Sequence, residues 1–295
     1  MKPTIHKLGT VDCDLVETTP LVFRGELYRF EYVRASYWGN TTGESYFRFV
    51  HHDSGQVSPP FARGYHLGNV WVEDDTLYVT GTDIWDGEMV DVFGSRDMQH
   101  WEMWNALRLP GYGLFNTSLC RADDQFVLMF EVGRPPEVAG ERFTARFATS
   151  RDLHRWELTP PECTYAKDRY TAPHCLRYLD GYYYNFYLEA LPHGYEQYVV
   201  RSQDLIHWEL SPLNPVLAAS EEDRQIANPA LSPALRERVR TAVDCNNSDI
   251  DLCEYGGQVV MTYSWGNQLG VEHLAEAVYQ GSLADFMRGW FPANG

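Results

Sequence analysis

Short runs of alternating apolar and polar residues recur along the whole chain, and such alternation predicts β-strands. Five pairs of these runs flank a short turn, so the pattern predicts five β-hairpins. The hairpins span residues 20–32, 69–81, 118–131, 173–189 and 250–265. Their turns carry mostly Asp and Gly, residues that tolerate the positive φ angles of tight hairpins.

A second pattern follows three of the hairpins. The sequence SRDMQHWE at 95–102 recurs as SRDLHRWE at 150–157 and as SQDLIHWE at 202–209, at spacings of 55 and 52 residues. The Ser and Asp favour a turn held by side-chain hydrogen bonds, and the Trp can fill the space between neighbouring sheets. Repeats of this length are typical of β-propellers. The sequence therefore predicts an all-β fold, a single five-bladed β-propeller domain over residues 1–295.

Two segments interrupt the repeat. Residues 36–60 form a polar excursion in the first blade, and residues 212–244 form an insert before the last blade. Within this insert residues 233–240 predict a short helix, because Pro stands in the first turn and Arg residues stand near the end. The first dozen residues are candidates for the strand that closes the ring.

Composition narrows the classes of partner. The 41 acidic residues outnumber the 24 basic ones and give a net charge of −17, which argues against nucleic acid as a partner. We expect no membrane span, because no stretch of eighteen apolar residues occurs. The N-terminus has no secretory apolar region, so we expect a cytoplasmic protein. The six cysteines lack any C-x-x-C pair and are interpreted as reduced, mostly buried thiols.

Propeller geometry predicts where a site would form. The inner strand of each blade starts at the face of the channel where the second strand ends, so residues at these points should converge in one funnel. Crowded carboxyl groups there would raise one another's pKa, which allows one to act as acid and another as base. The candidate substrate-binding residues are His66, Asn116, Glu131, Arg169, His174, Glu189, Asn247 and Trp265.

The repeated Ser-x-Asp-Leu-x-x-Trp-Glu motif resembles that of glycoside hydrolase families 43, 32 and 68 and of the mannoside phosphorylases. The sequence YTAPH at 170–174, followed by DGYYY at 180–184, resembles the fourth-blade motif of family 43. In that family Glu-Gly-Pro precedes Asp/Asn-Gly-Tyr-Tyr-Tyr. The likeness covers roughly residues 12–291 and implies a sugar-cleaving propeller.

The resemblance implies three catalytic carboxylates, of which two are absent here. Family 43 uses an Asp base in the first blade, an Asp that tunes pKa in the third and a Glu acid in the fourth. The acid position aligns with Thr171, and the third-blade position aligns with Asn116. The first-blade position aligns with Thr19 or Glu17, depending on whether the proline or the hairpin turn anchors the alignment.

Relocated catalysis would need other carboxylates, and the candidates are Glu17, Asp168 and Asp249. Strand alternation predicts Asn247, Asp249 and Asp251 on one face. The leading hypothesis is a glycosidase acting on a small oligosaccharide or glycoside. The alternative is a propeller that binds sugar without cleaving it, and a third hypothesis is a scaffold for protein partners.

The expected partner is a small carbohydrate, and the sequence predicts no oligomeric state. No ligand-spacing motif for a metal occurs, so His66 and His174 are interpreted as hydrogen-bonded histidines. No cofactor is predicted, although the resemblance implies a possible calcium ion in the channel.

Overall fold

The computed structural model of the protein describes residues 2–34 and 44–292. The architecture is all-β, as predicted, and it is built from five antiparallel units that we number in chain order. Part of the predicted polar excursion, residues 36–43, lies outside the described residues.

Units 1 to 3 follow one another along the chain. Unit 1 contains β2 (Thr18–Phe23), β3 (Glu26–Val33) and β4 (Tyr46–His51). Unit 2 contains β5 (His66–Glu73), β6 (Thr76–Thr82), β7 (Met89–Ser95) and β8 (Glu102–Arg108). Unit 3 contains β9 (Gly113–Ala122), β10 (Gln125–Arg134), β11 (Thr144–Ser150), β12 (Glu157–Leu158) and β13 (Thr164–Tyr165). Helix α1 (Pro136–Ala139) lies between β10 and β11.

Units 4 and 5 are joined into one sheet by a single parallel bridge, Tyr195 to Asn246. Unit 4 contains β14 (His174–Leu179), β15 (Tyr182–Leu191), β16 (Gly194–Ser202) and β17 (Glu209–Leu210). Unit 5 contains β18 (Asn246–Tyr255), β19 (Gln258–Gly266) and β20 (Glu272–Gln280), and β1 (His6–Cys13) completes it. The N-terminal strand therefore pairs with the C-terminal unit, antiparallel to β20.

The inner strands of the five units pack around a common axis. Strands β2, β5, β9, β14 and β18 contact one another in that order, and β18 contacts β2. Hydrophobic clusters fill the spaces between successive units; one of them joins Phe49 of unit 1 to Phe93 of unit 2. This packing is that of a propeller, in which each sheet buries both faces against its neighbours.

The repeated Ser-x-Asp motif forms the same turn three times. In the first copy Ser95 Oγ accepts from the backbone N–H groups of Asp97 and Met98. Asp97 Oδ1 accepts from those of Gln99 and His100. The copies beginning at Ser150 and Ser202 repeat all four bonds. These side chains thus stabilise the turn, as the motif predicted.

The insert before unit 5 contains the predicted helix. Helix α2 spans Pro233–Thr241, and the Ser232 side chain caps it by accepting from the Leu235 N–H. A single 3₁₀ turn, Glu221–Arg224, precedes it. Helix α3 (Leu283–Gly289) follows the last strand and buries Phe286 and Met287. Within the described part of the chain, no helix is long and apolar enough to span a membrane.

Candidate active site

Two adjoining cavities open where the inner strands begin. The outer cavity has a volume of about 230 Å³ and the inner one about 40 Å³. Both are lined by Glu17, Asn116, Pro173 and Asp249, which come from units 1, 3, 4 and 5. Each of these residues stands six positions before the last residue of its inner strand, so they occupy equivalent places in their units.

Backbone irregularities near the starts of the inner strands direct side chains into the cavities. In β18 the pairing with β19 shifts by one residue between Ser248 and Asp251, and Asp249 has a positive φ of 54°. A β-bulge of this kind inserts one extra residue and re-aims the side chains around it. The same shift occurs in β5, where Leu67 has the same φ, and in the pairing of β9 with β10.

Asp249 is the most perturbed carboxyl in the cavity walls. Its Oδ2 accepts from Ser248 Oγ at 2.5 Å and from Ser264 Oγ at 2.7 Å. Burial and the nearby Glu17 charge raise the pKa of Asp249 to about 7, against the lowering effects of both hydroxyls and Arg34. Near neutral pH this side chain can therefore donate a proton.

Glu17 faces the same space with a different partner. Its Oε2 lies 3.2 Å from Arg34 Nη1, and the Glu17 side chain is 17% exposed. The Arg34 guanidinium thus places a positive charge beside this side chain. The two carboxyls thus have opposite electrostatic settings: Asp249 has a raised pKa and Glu17 is ion-paired.

A buried relay holds Asn116 in place. Glu131 is fully buried and accepts from His174 Nδ1 at 2.8 Å and from Asn116 Nδ2 at 2.9 Å. Nε2 of His174 lies 3.0 Å from the Thr171 hydroxyl. The bond to Glu131 uses one of the two N–H donors of Asn116 and leaves its carbonyl oxygen to accept from a ligand in the cavity.

Several polar side chains that line the inner cavity bond to one another. Asn69 Nδ2 donates to Thr19 Oγ1 at 3.0 Å and to Asp251 Oδ2 at 2.8 Å. Asp251 Oδ1 accepts from Cys175 Sγ at 3.3 Å and also from the Arg177 guanidinium. A buried guanidinium already neutralises the carboxylate, so this set does not fit the calcium ion that the resemblance implied. Among residues 2–34 and 44–292 no three His, Cys, Asp or Glu side chains are placed to hold a metal ion.

Comparison with solved structures identifies the architecture. An α-L-arabinofuranosidase from Podospora anserina, in complex with cellotriose, matches with a TM-score of 0.65 at 8% identity over 96% of this chain and 99% of that one. A glycoside hydrolase matches with a TM-score of 0.63 at 13% identity, over 96% and 94% of the two chains. The family 62 α-L-arabinofuranosidase catalytic domain of Coprinopsis cinerea matches with a TM-score of 0.63 at 8% identity, over 94% and 97%.

The fold is that of the glycoside hydrolase propellers. No family model matches the sequence, and no curated protein matches it either. At identities this low the likeness establishes the fold, and the chemistry has to be argued from the residues of this propeller.

Several predicted site residues lie outside both cavities. Asp168 is 79% exposed, and it pairs with Arg169 at 3.2 Å. Arg169 also binds Glu189, at 3.1 Å, beside unit 4 of the propeller. Glu189 stands on the second strand of that unit, one strand further from the axis than the cavity walls. In the structure Asp168, Arg169 and Glu189 thus form an ion-pair cluster that lines neither of the two cavities.

Bulges and burial determine where the other predicted site residues lie. Asn247 is fully buried and bonds to Lys7 and Asp223, because the bulge after it breaks the predicted alternation. His66 is buried against the Tyr32 hydroxyl at 2.7 Å, and the bulged Leu67 lines the outer cavity in its place. Trp265 is fully buried in the core beneath β1, where its ring nitrogen donates to a threonine hydroxyl. Glu131 acts from behind Asn116 without reaching the cavities.

Sequence reasoning missed the loop residues of the outer cavity. Its wall includes Arg34, Trp85, Phe143, Tyr170 and Gln268. All five lie outside regular strands, so no strand periodicity marks them. The one available signal was that each stands beside an element end on the predicted funnel face.

Proposed function

We propose that this protein is a glycosidase that cleaves a small glycoside, with Asp249 as general acid and Glu17 as the partner carboxylate. The observation that carries the proposal is the pairing of a carboxyl of pKa about 7 with an ion-paired carboxylate across one cavity. Two carboxyls in unlike environments are the minimal machinery of most glycosidases.

In this mechanism Asp249 gives its proton to the glycosidic oxygen as the bond to the anomeric carbon breaks. Glu17, held by Arg34 at 3.2 Å, stabilises the developing positive charge. It then removes a proton from the attacking water or bonds to the anomeric carbon itself. The configuration of the first-formed sugar, read by NMR, separates the two routes.

One observation favours a second candidate, a propeller that binds sugar without cleaving it. Thr171 stands where the resemblance puts the acid, and it is fully buried against His174. A chain that had lost catalysis would show such a replacement. It would have no reason to keep the raised pKa of Asp249, which favours the catalytic proposal.

The first experiment is a screen of 4-nitrophenyl glycosides that includes the arabinofuranoside and the xyloside, since arabinofuranosidases and a xylosidase share this fold. Asp249→Asn and Glu17→Gln are compared with Asp168→Asn, a control whose side chain lies outside the cavities. We expect release of nitrophenol by wild type and by the control. Binding of the sugars, seen as a thermal shift, without turnover by wild type would favour the second candidate.

The leaving group then distinguishes the acid from its partner. A 2,4-dinitrophenyl leaving group needs no proton, so Asp249→Asn should retain most of the wild-type rate on it and lose at least a hundredfold on an alkyl glycoside. Glu17→Gln should lose activity on both. Equal losses by Asp249→Asn on the two substrates would contradict its role as acid.

A further inference from the structure

The outer cavity has two chemically different sectors. Its charged and amide side chains come mainly from the adjacent units 5 and 1: Glu17, Arg34, Asp249 and Gln268. The side chains from units 2 to 4 are apolar or aromatic apart from Asn116, and they comprise Leu67, Trp85, Phe115, Phe143, Tyr170, Ala172 and Pro173. A ligand that fills this space therefore meets carboxyl groups on one side and hydrocarbon on the other.

The aromatic rings of the apolar sector form a continuous chain. Trp85 contacts Phe115 with ring centres 5.2 Å apart, Phe115 contacts Phe143 at 4.6 Å, and Phe143 contacts Tyr170 at 5.8 Å. All three contacts are edge-to-face, with interplanar angles of 77° to 85°. Successive rings are thus nearly perpendicular, which makes a curved apolar wall and not the single flat platform on which a sugar ring stacks.

The apolar character continues to the cavity mouth. Ile84, next to Trp85, is 58% exposed, and Tyr170 is 36% exposed. A second sugar ring placed along this sector would bury several hydroxyl groups, and the side chains there that carry a hydrogen-bonding group are Asn116, Trp85 and Tyr170. Buried hydroxyls without partners cost free energy, whereas an alkyl or aryl group would gain from leaving water.

We propose that the substrate is a glycoside with an apolar leaving group, an alkyl or aryl aglycone, which lies against the aromatic chain of units 2 to 4. The inference rests on the proposed function and specifies the substrate class of the same site. In this arrangement the glycosidic oxygen lies beside Asp249, and the aglycone points away from the charged sector. Protonation of that oxygen releases the aglycone as an alcohol or phenol, and water supplies the hydroxyl of the free sugar.

The test is a series of n-alkyl glycosides, from methyl to hexyl, of the sugar that the nitrophenyl screen selects. Their leaving groups have nearly the same acidity, so differences in kcat/KM report contacts between the alkyl chain of the substrate and the protein. We expect kcat/KM to rise by about fourfold for each methylene until the cavity is filled. A disaccharide of the same sugar should be a poorer substrate than the hexyl glycoside.

Two tyrosine variants test whether the gain in kcat/KM per methylene comes from the aromatic chain. Tyr170→Ala should reduce the gain per methylene, whereas Tyr78→Ala, which removes a tyrosine far from the cavity against Trp104, should leave it unchanged. A kcat/KM that does not change along the alkyl series would overturn this inference and leave the glycosidase proposal standing. A kcat/KM for the disaccharide above that for the hexyl glycoside would do the same. Absence of hydrolysis of every glycoside in the screen would overturn the proposed function itself.

Discussion

Asp244 and Asp249 stand five residues apart in the sequence, and each faces a second acidic side chain, yet their surroundings differ. Asp249 faces Glu17 across the cavity, and Asp244 neighbours Asp223 between the insert and β18. Burial and the adjacent acidic group raise the pKa of Asp249 and of Asp244 alike to about 7. By electrostatics alone the two pairs would be equally good candidates for acid catalysis.

Access to the outer cavity separates them. Asp223 accepts from Lys7 Nζ at 2.7 Å and from the Tyr263 hydroxyl at 2.6 Å, and Lys7 also donates to Asn247 at 2.7 Å. These groups belong to the protein, and they tie β1, the insert and unit 5 together. Asp249 and Glu17 instead line an open cavity. A raised pKa therefore marks a functional group only where the same group can reach a ligand.

The largest expected effect tests this distinction directly. Asp249→Asn and Glu17→Gln should each lower kcat on a simple alkyl glycoside by about 10²–10⁴-fold, because an amide cannot exchange the proton that catalysis needs. Asp244→Asn should change kcat less than threefold, as measured by steady-state kinetics. If Asp244→Asn lowered kcat as much as Asp249→Asn does, the assignment of catalysis to the Asp249 pair alone would be contradicted.

The second effect concerns stability. Lys7→Met removes the cation that faces Asp223, and both side chains are almost fully buried. An unpaired buried charge costs about 3–5 kcal/mol, so the urea midpoint should fall sharply. Lys167→Met, whose amine bonds one exposed backbone carbonyl, is the control and should change little. The rate constants of the folded fraction should be unaffected in both variants.

Local motifs made much of this fold predictable. The Ser-x-Asp turns fold as their side chains dictate, and the Asp180-Gly181 hairpin turns with positive φ at both residues. The site was harder, because it depends on bulges and loops. Asn247 was predicted on the same face as Asp249, but one extra residue in β18 turned it towards the insert. Alternation carries no signal for an inserted residue. Phe143 and Tyr170 precede strands of different units, so the local sequence does not indicate that their rings meet.

A smaller effect tests the relay behind Asn116. In Glu131→Gln the new amide can donate to Asn116, so the Asn116 side chain can turn its NH₂ towards the cavity. We expect KM to rise about tenfold with a smaller change in kcat, which corresponds to the loss of one hydrogen bond to substrate. Glu73→Gln, at a half-buried hydrogen bond that Trp71 donates, is the matched control. A change confined to thermal stability would show that Glu131 has only a structural role.

The smallest effect is the pH dependence of stability. The native pKa of Asp249 lies above its unfolded value, so the native protein retains a proton that the unfolded chain releases between about pH 4 and pH 7. The free energy of unfolding contributed by this group therefore falls as pH rises through that window. Asp249→Asn lacks this penalty. Its free energy of unfolding relative to that of wild type should therefore be higher at pH 7 than at pH 4, by about 1 kcal/mol or more. Urea titrations at the two pH values measure the gain, and Asp244→Asn should show the same sign.

The pH profile of kcat/KM tests the central claim, that Asp249 donates the proton, most directly. For wild type on an alkyl glycoside we predict a plateau below pH 7 and a tenfold fall for each pH unit above it, because the acid must be protonated. In Asp249→Asn, followed with the 2,4-dinitrophenyl glycoside, this alkaline limb should disappear. A wild-type profile that stays flat from pH 6 to pH 9, or an alkaline limb that persists in Asp249→Asn, would contradict the assignment.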